Sequence, residues 1–118
     1  MHYAILCYHD EAVVESWTKE EDDAVLAKRA KVTDKIEAQG RLGPIARLMP
    51  TTAATTVRSG REPVVIDGPF AETKEQLLGF YVVDCDTLDD AVEIARQLGR
   101  DEHGAFEIRP IRLMKIPE

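Results

Sequence analysis

The chain has 118 residues, a length typical of one domain, and its 44% hydrophobic and 31% charged residues are typical of a globular protein. Its net charge of -7 disfavours nucleic-acid binding, because an acidic surface repels phosphate backbones. No apolar run approaches membrane-spanning length, and the opening MHYAILCYHDE has the pattern of a strand rather than of a targeting signal. We therefore expect a single domain over residues 1–118 in the cytoplasm, where Cys7 and Cys85 stay reduced.

The first part of the chain predicts a strand and a helix. Residues 3–8 are apolar on both strand faces, which indicates a central, buried strand, and an acidic loop is expected over residues 9–16. Thr18 precedes Glu21 by three residues, a capping-box pattern that marks the start of a helix. Gly40 is expected to end this helix in the left-handed conformation.

Three further patterns follow in this region. The basic cluster AKRAK, residues 27–31, predicts a solvated helix face rather than a phosphate clamp. RLGPIARLMP, residues 41–50, predicts a strand that is bulged or lies at a sheet edge, because it contains Gly-Pro. TTVR and PVVID flank SGRE over residues 55–67, which indicates a β-hairpin that turns at Ser59 and Gly60.

The last part of the chain predicts a turn, a strand, a helix and a final strand. Residues 67–69, Asp-Gly-Pro, indicate a turn at a strand end, and residues 72–76 could form one helical turn. A core strand is expected over residues 77–85. An amphipathic helix is expected over residues 87–99, with a threonine cap and a glycine stop, and the final strand over residues 105–115.

The order β-α-β, hairpin, β-α-β predicts an α+β, ferredoxin-like sandwich, because right-handed crossovers place both helices on the same sheet face. The other face would then stay bare although its strands are apolar. Soluble domains rarely expose such a surface of several hundred Å². We therefore expect a homodimer in which two sheets close face to face into an α/β barrel.

A resemblance supports this architecture. The segment DGPFAETKEQLLGFYVVD, residues 67–84, resembles the signature of DGPF-domain proteins, which belong to the YCII-related group. MHYAILCYHDE resembles that family's opening strand, TAATTVR its hairpin entry, and FEIRPI, residues 106–111, its closing strand. The resemblance covers almost the whole chain and implies a ferredoxin-like fold and a dimeric α/β barrel.

The resemblance implies less about activity. Some YCII relatives are proposed to be enzymes with a histidine–aspartate pair, and many DGPF relatives are encoded beside extracytoplasmic-function sigma factors. His9 and Asp10 are adjacent on a strand and would point to opposite sides, so they do not match such a pair. A regulatory or adaptor protein associated with a sigma factor is therefore kept as the alternative function.

The DGPF segment supplies the main candidate site. One interpretation is structural, because aspartate, glycine and proline together suit a tight turn. The other places Asp67, Glu72 and Lys74 along a cleft beside the open sheet face. There, Asp67 and Lys74 could act as a catalytic acid–base pair, with Glu72 binding the ligand.

Two residues outside this segment are further ligand-binding candidates. Arg109 shares a strand face with Glu107 and would either form an exposed charge pair or anchor an anion inside the barrel. Tyr81 would either make one buried hydrogen bond or orient a ligand. The site hypothesis requires Asp67, Lys74 and Arg109 to converge on one cavity with Tyr81 nearby.

Metal and cofactor binding are not expected. Cys7, His9, His2 and His103 match no strong ligand spacing, which favours a buried thiol and a surface imidazole. The sequence contains no phosphate loop, dinucleotide fingerprint or serine–histidine–aspartate order. The leading hypothesis is therefore a small homodimer that binds a small molecule in its barrel, and the sequence leaves open whether that molecule is a substrate.

Overall fold

The computed structural model describes residues 1–117 and shows an α+β protein with a four-stranded antiparallel sheet. The elements in chain order are β1 (His2–Asp10), α1 (Glu11–Glu15), α2 (Lys19–Ala38), β2 (Leu42–Arg47), a 3-10 turn (Thr51–Ala53), β3 (Thr55–Arg58), β4 (Val64–Asp67), β5 (Glu75–Asp84), α3 (Leu88–Leu98) and β6 (Ala105–Pro110).

The sheet has the strand order β2-β5-β1-β6, and every neighbouring pair is antiparallel. Strands β3 and β4 form a separate two-stranded hairpin between β2 and β5. With β1 and β5 in the centre and a helix after each, this arrangement is compatible with the ferredoxin-like fold that the sequence predicted.

Both long helices cover the same face of the sheet. The side chains of β1 alternate, so that Tyr3 and Ile5 are buried on the helix side. They share one core with Ile36 of α2 and with Ile94 and Leu98 of α3. The prediction that the two helices lie together on one face is therefore confirmed.

The predicted helix starts are confirmed in their hydrogen bonds. Thr18 accepts a bond from the backbone N–H of Glu21, whose side chain in turn accepts from the N–H of Thr18, so α2 begins with a complete capping box. Thr87 caps α3 by accepting from the N–H of Asp90. Gly40 follows α2 with a φ of 69°, the left-handed conformation expected there.

Three predicted segments were wrong. Residues 9–16 are not a loop, because β1 continues to Asp10 and the short helix α1 follows. Residues 72–76 form no helical turn, since β5 already begins at Glu75 and pairs with the end of β1. The final strand ends at Pro110, five residues before its predicted end, and proline donates no ladder hydrogen bond.

The sheet face away from the helices, here called the open face, is largely apolar. Leu6 pairs with Phe80 and Ala4 with Val82, and all four side chains point away from the helix side. Arg109 lies opposite Ala4 on the edge strand β6, and Glu107 lies opposite Leu6, so both charged residues share the open face as expected. No helix within residues 1–117 combines the length and apolar character that a membrane span needs.

The hairpin and the residue Phe70, which follows it closely, are here called the arm (residues 55–70). Val57 pairs with Val65, and both are more than half exposed. Ile66 and Val64 are also exposed and lie on the opposite face of the hairpin. The radius of gyration is 15.9 Å, whereas about 13.5 Å is expected for a compact chain of this length. Because neither face of the hairpin is buried, the arm is an apolar surface that no other segment of residues 1–117 covers.

Candidate functional site

The DGPF segment begins with a tight turn at the base of the arm. Gly68 has a φ of 101°, its N–H donates to the carbonyl of Ala54 at 2.7 Å, and its carbonyl accepts from the Thr56 hydroxyl at 2.7 Å. A residue with a Cβ is strained at this φ, so glycine is needed here for its backbone. Asp67 precedes the turn and pairs with Thr55. The structural interpretation of this segment as a turn is therefore confirmed.

The same turn borders a groove, here called the main groove, with a volume of about 480 Å³. It lies between the start of α1, the 3-10 turn and the loop that enters β5. Its polar lining includes Asp10, Glu11, Thr51, Glu72, Lys74 and Gln76. The segment that the sequence indicated thus does line a cleft, although at the end of the sheet rather than over its open face.

The acidic groups at the start of α1 are already engaged. Asp10 accepts the backbone N–H of Ala12 at 3.0 Å and caps the helix. Glu11 accepts the Thr51 N–H at 2.9 Å and the Thr51 hydroxyl at 2.8 Å, which holds the 3-10 turn against α1. Lys74, in contrast, has no ion-pair partner within residues 1–117. The groove therefore offers an unpaired ammonium beside the hydrogen-bonded carboxylates of Asp10 and Glu11 and beside the carboxylate of Glu72.

A second groove of about 300 Å³, here called the histidine groove, adjoins the first. It is lined by His9, Asp10, Val13, Lys74, Glu75, His103 and Gly104. Asp10 and Lys74 belong to both grooves. Lys74 therefore stands where the two grooves meet, and a bound molecule could contact it from either side.

His9 is fixed in orientation by its neighbours. Its side chain is buried, with only 4% of the residue exposed, and its ring meets the Trp17 ring edge-on at 5.6 Å. Nδ1 lies 3.2 Å from the backbone oxygen of Asp10, and because a carbonyl only accepts, Nδ1 carries the proton. In the neutral ring Nε2 is then the acceptor. The expectation of a surface imidazole was wrong, because β1 extends to Asp10 and its alternation places the His9 side chain on the buried side of the sheet.

The structure separates the residues that the site hypothesis grouped. Glu72 and Lys74 line the main groove together, whereas Asp67 lies outside its lining. Arg109 is paired with Ala4, six residues along β1 from the groove end of the sheet, which corresponds to about 20 Å. A single chain therefore does not bring Arg109 to Lys74.

Tyr81 lies on the helix side of the sheet, opposite the face that carries Arg109. Its hydroxyl receives a hydrogen bond from Nη1 of Arg29 at 3.3 Å. Within one chain, Tyr81 thus has the buried single-partner role that the sequence analysis kept as one alternative, and it is not near Arg109.

A buried ion pair on the helix side was missed by the sequence analysis. Nη2 of Arg29 lies 2.5 Å from the Glu102 carboxylate, and the Arg29 guanidinium also approaches Cys7 Sγ at 3.7 Å and stands 5.4 Å from the centre of the Phe106 ring. Lys28 is a second partner of Glu102 at 2.5 Å. The expectation that residues 27–31 form a solvated face was therefore wrong for Arg29.

The pKa shifts in this cluster indicate a structural role. Burial raises the pKa of the Cys7 thiol more than the nearby Arg29 lowers it, so Cys7 stays protonated and is a weak nucleophile. Burial also tends to raise the pKa of Glu102, but hydrogen bonds from Arg29 and Lys28 outweigh it and leave that pKa lowered. The adjoining cavity has about 30 Å³, room for about one water molecule.

Metal binding has no arrangement of ligands to support it in the part of the chain that the structure covers. No three side chains of histidine, cysteine, aspartate or glutamate are placed there to share an ion. Cys7 and Cys85 are both buried and free.

Comparisons with known proteins agree with the resemblance noted from the sequence. The family model described as the YCII-related domain matches residues 1–115, which includes all six strands. An uncharacterized protein of Rhizobium meliloti (strain 1021) is 53% identical over 121 residues, and the alignment covers 100% of this chain and 98% of that protein. The similarity thus includes both grooves and the arm.

Proposed function

The chain belongs to the YCII-related family, and we propose that it is a homodimer that binds a small molecule with an anionic or carbonyl oxygen at Lys74. The observation that carries this proposal is the position of Lys74 at the junction of two grooves, with no ion-pair partner in residues 1–117. Grooves of 480 and 300 Å³ are of the size that small-molecule ligands occupy.

The dimer is supported by the open face. Its paired apolar side chains, among them Leu6 and Phe80, lie on the side of the sheet that neither α2 nor α3 covers. A second copy packed on this face would remove that apolar surface from water and give the dimeric barrel expected from the sequence. Arg109 also lies on this face. In the dimer, the Arg109 side chain of the second copy would therefore approach a ligand bound to the first copy.

The two grooves support proton-transfer chemistry as the activity of this site. The Lys74 ammonium would stabilise negative charge on a carbonyl oxygen of the ligand. Nε2 of His9 would accept a proton from the neighbouring carbon, since Nδ1 faces the carbonyl of Asp10 and His9 lines the same groove as Lys74. Glu72 would accept a hydrogen bond from a donor group of the ligand, such as a hydroxyl, in the main groove.

Pyruvate carries both a carboxylate and a carbonyl and is a suitable first probe. We expect a titration followed by ¹⁵N NMR to shift the amides of residues 10–12 and 72–76 in a saturable manner. Lys74→Met should abolish these shifts. Lys31→Met should retain them, because Lys31 is exposed on α2 and lines neither groove. Equal shifts in Lys74→Met, or none in the wild type, would exclude an anion site at Lys74.

A further inference from the structure

We infer that the arm, residues 55–70, is a dimerisation element that packs against a second copy of this chain. This inference rests on the proposed homodimer and names a contact that the open face alone does not supply. Its starting point is the exposure of five apolar residues on the arm, between 41% and 76%: Val57, Val64, Val65, Ile66 and Phe70.

The area of the sheet argues for this contact. The four strands contain 9, 6, 10 and 6 residues, so the sheet is about eight residues long and four strands wide. At about 3.4 Å per residue and about 4.8 Å per strand, its open face covers roughly 500 Å². A stable interface buries at least about 600 Å² on each partner. The open face alone therefore falls short by roughly 100 Å².

The arm has the area that is missing. A fully buried aliphatic or aromatic side chain removes about 60–120 Å² from water, so a half-exposed one still offers roughly 50 Å². Val57 and Val65 share one face of the hairpin, so two or three such residues on the contacting face offer roughly 100–150 Å². Sheet and arm together thus reach the lower size limit of a stable interface, whereas either surface alone does not.

The arm is also held in place before any partner binds. The bonds of Gly68 to Ala54 and Thr56 close its base, and Glu11 anchors the preceding Thr51 to α1. An element that is ordered in advance loses little conformational entropy on association, which favours a tight contact.

The test measures the dimer dissociation constant by analytical ultracentrifugation of the full chain. We expect Val57→Ser with Val65→Ser to raise it at least about tenfold, because two buried valines are lost from the contact. Leu88→Ser is the matched control. Leu88 is 51% exposed but begins α3 on the helix side, so this variant should keep the wild-type constant. Circular dichroism melts establish that each variant folds.

A second measurement identifies the occupant directly. A photo-crosslinking residue is incorporated at position 65, and ¹⁴N- and ¹⁵N-labelled preparations of this variant are mixed. Mass spectrometry should then find crosslinks between differently labelled chains. A wild-type dimer with unchanged affinity in the valine variants, or crosslinks confined to one chain, would overturn the role of the arm and leave the dimer standing. A monomeric wild type would overturn both.

Discussion

Arg29 and Glu102 lie 73 residues apart in the sequence, yet their side chains form an ion pair with only 16% and 5% of the side-chain surface exposed. Each charge is separated from water and depends on the other, together with Lys28, for compensation. This pair fastens α2 to the segment that leads into β6, and we expect it to be the most sensitive polar contact of the helix side.

Replacing Glu102 by glutamine should destabilise the protein by about 3 kcal/mol, because the Arg29 guanidinium would remain enclosed without a counter-charge. Chemical denaturation measures this loss. Glu37→Gln is the control, since Glu37 lies exposed on α2 and should change stability by less than about 0.5 kcal/mol. Similar losses in the two variants would contradict the importance of the buried pair.

The contribution of this pair should depend on pH in one direction. The pKa of Glu102 is lowered in the folded protein from an ordinary value near 4.5. The stabilisation is therefore fully present above about pH 4.5 and is lost as the pH falls through the lower, folded pKa. Unfolding free energies of the wild type and Glu102→Gln, measured from pH 7 downward, should converge in acid. A constant difference at all pH values would argue against a charged Glu102.

Gly68→Ala should destabilise the protein by about 1–3 kcal/mol, because alanine is strained at a φ of 101°. An added Cβ would meet no atom within 4 Å at Gly68 or at Gly60, so a steric clash is excluded at both positions. Gly60→Ala, without a positive φ, should therefore be close to neutral. Thermal melts of the two variants isolate the backbone effect, and equal melting temperatures would argue against it.

Lys74→Ala should leave stability within about 0.5 kcal/mol of the wild type, because the side chain is exposed and makes no ion pair in the described chain. The same melts measure it. A large loss would show that Lys74 has a structural partner and would weaken its assignment as the ligand-binding cation.

Both cysteines should react slowly with iodoacetamide in the native protein, roughly a hundredfold more slowly than in denaturant. Burial raises the pKa of Cys7 and of Cys85, and each residue is less than 5% exposed. Mass spectrometry of timed samples resolves the two sites. Rapid native labelling of Cys7 would show that its cavity opens to solvent.

Features set by neighbouring residues could be predicted from the sequence. The Thr18 capping box, the stop at Gly40 and the glycine turn at Gly68 depend on residues within a few positions of one another. The alternation of β6 correctly assigned Arg109 to one face and Ile108 to the other.

Features set by distant residues could not be predicted. The periodicity of α2 places Arg29 on the apolar stripe, four residues after Val25 and three before Val32, but only the fold brings Glu102 to it. His9 became buried because β1 is longer than its apolar run. The main groove likewise forms only where α1, the 3-10 turn and the DGPF loop meet at one end of the sheet. The sequence hypothesis therefore grouped Lys74 with Asp67, Tyr81 and Arg109, none of which lines that groove.

The edge strands of the sheet limit how copies of this protein can aggregate. β2 pairs only with β5, its register is irregular between Leu42 and Ile45, and Pro44 within that irregularity has no N–H to donate. β6 ends in Pro110 on the opposite edge. Strand addition at such edges is unfavourable, so polymerisation into cross-β fibres is opposed at both sides of the sheet. The apolar open face can then pack against a second copy while both edges of the four-stranded sheet resist strand addition.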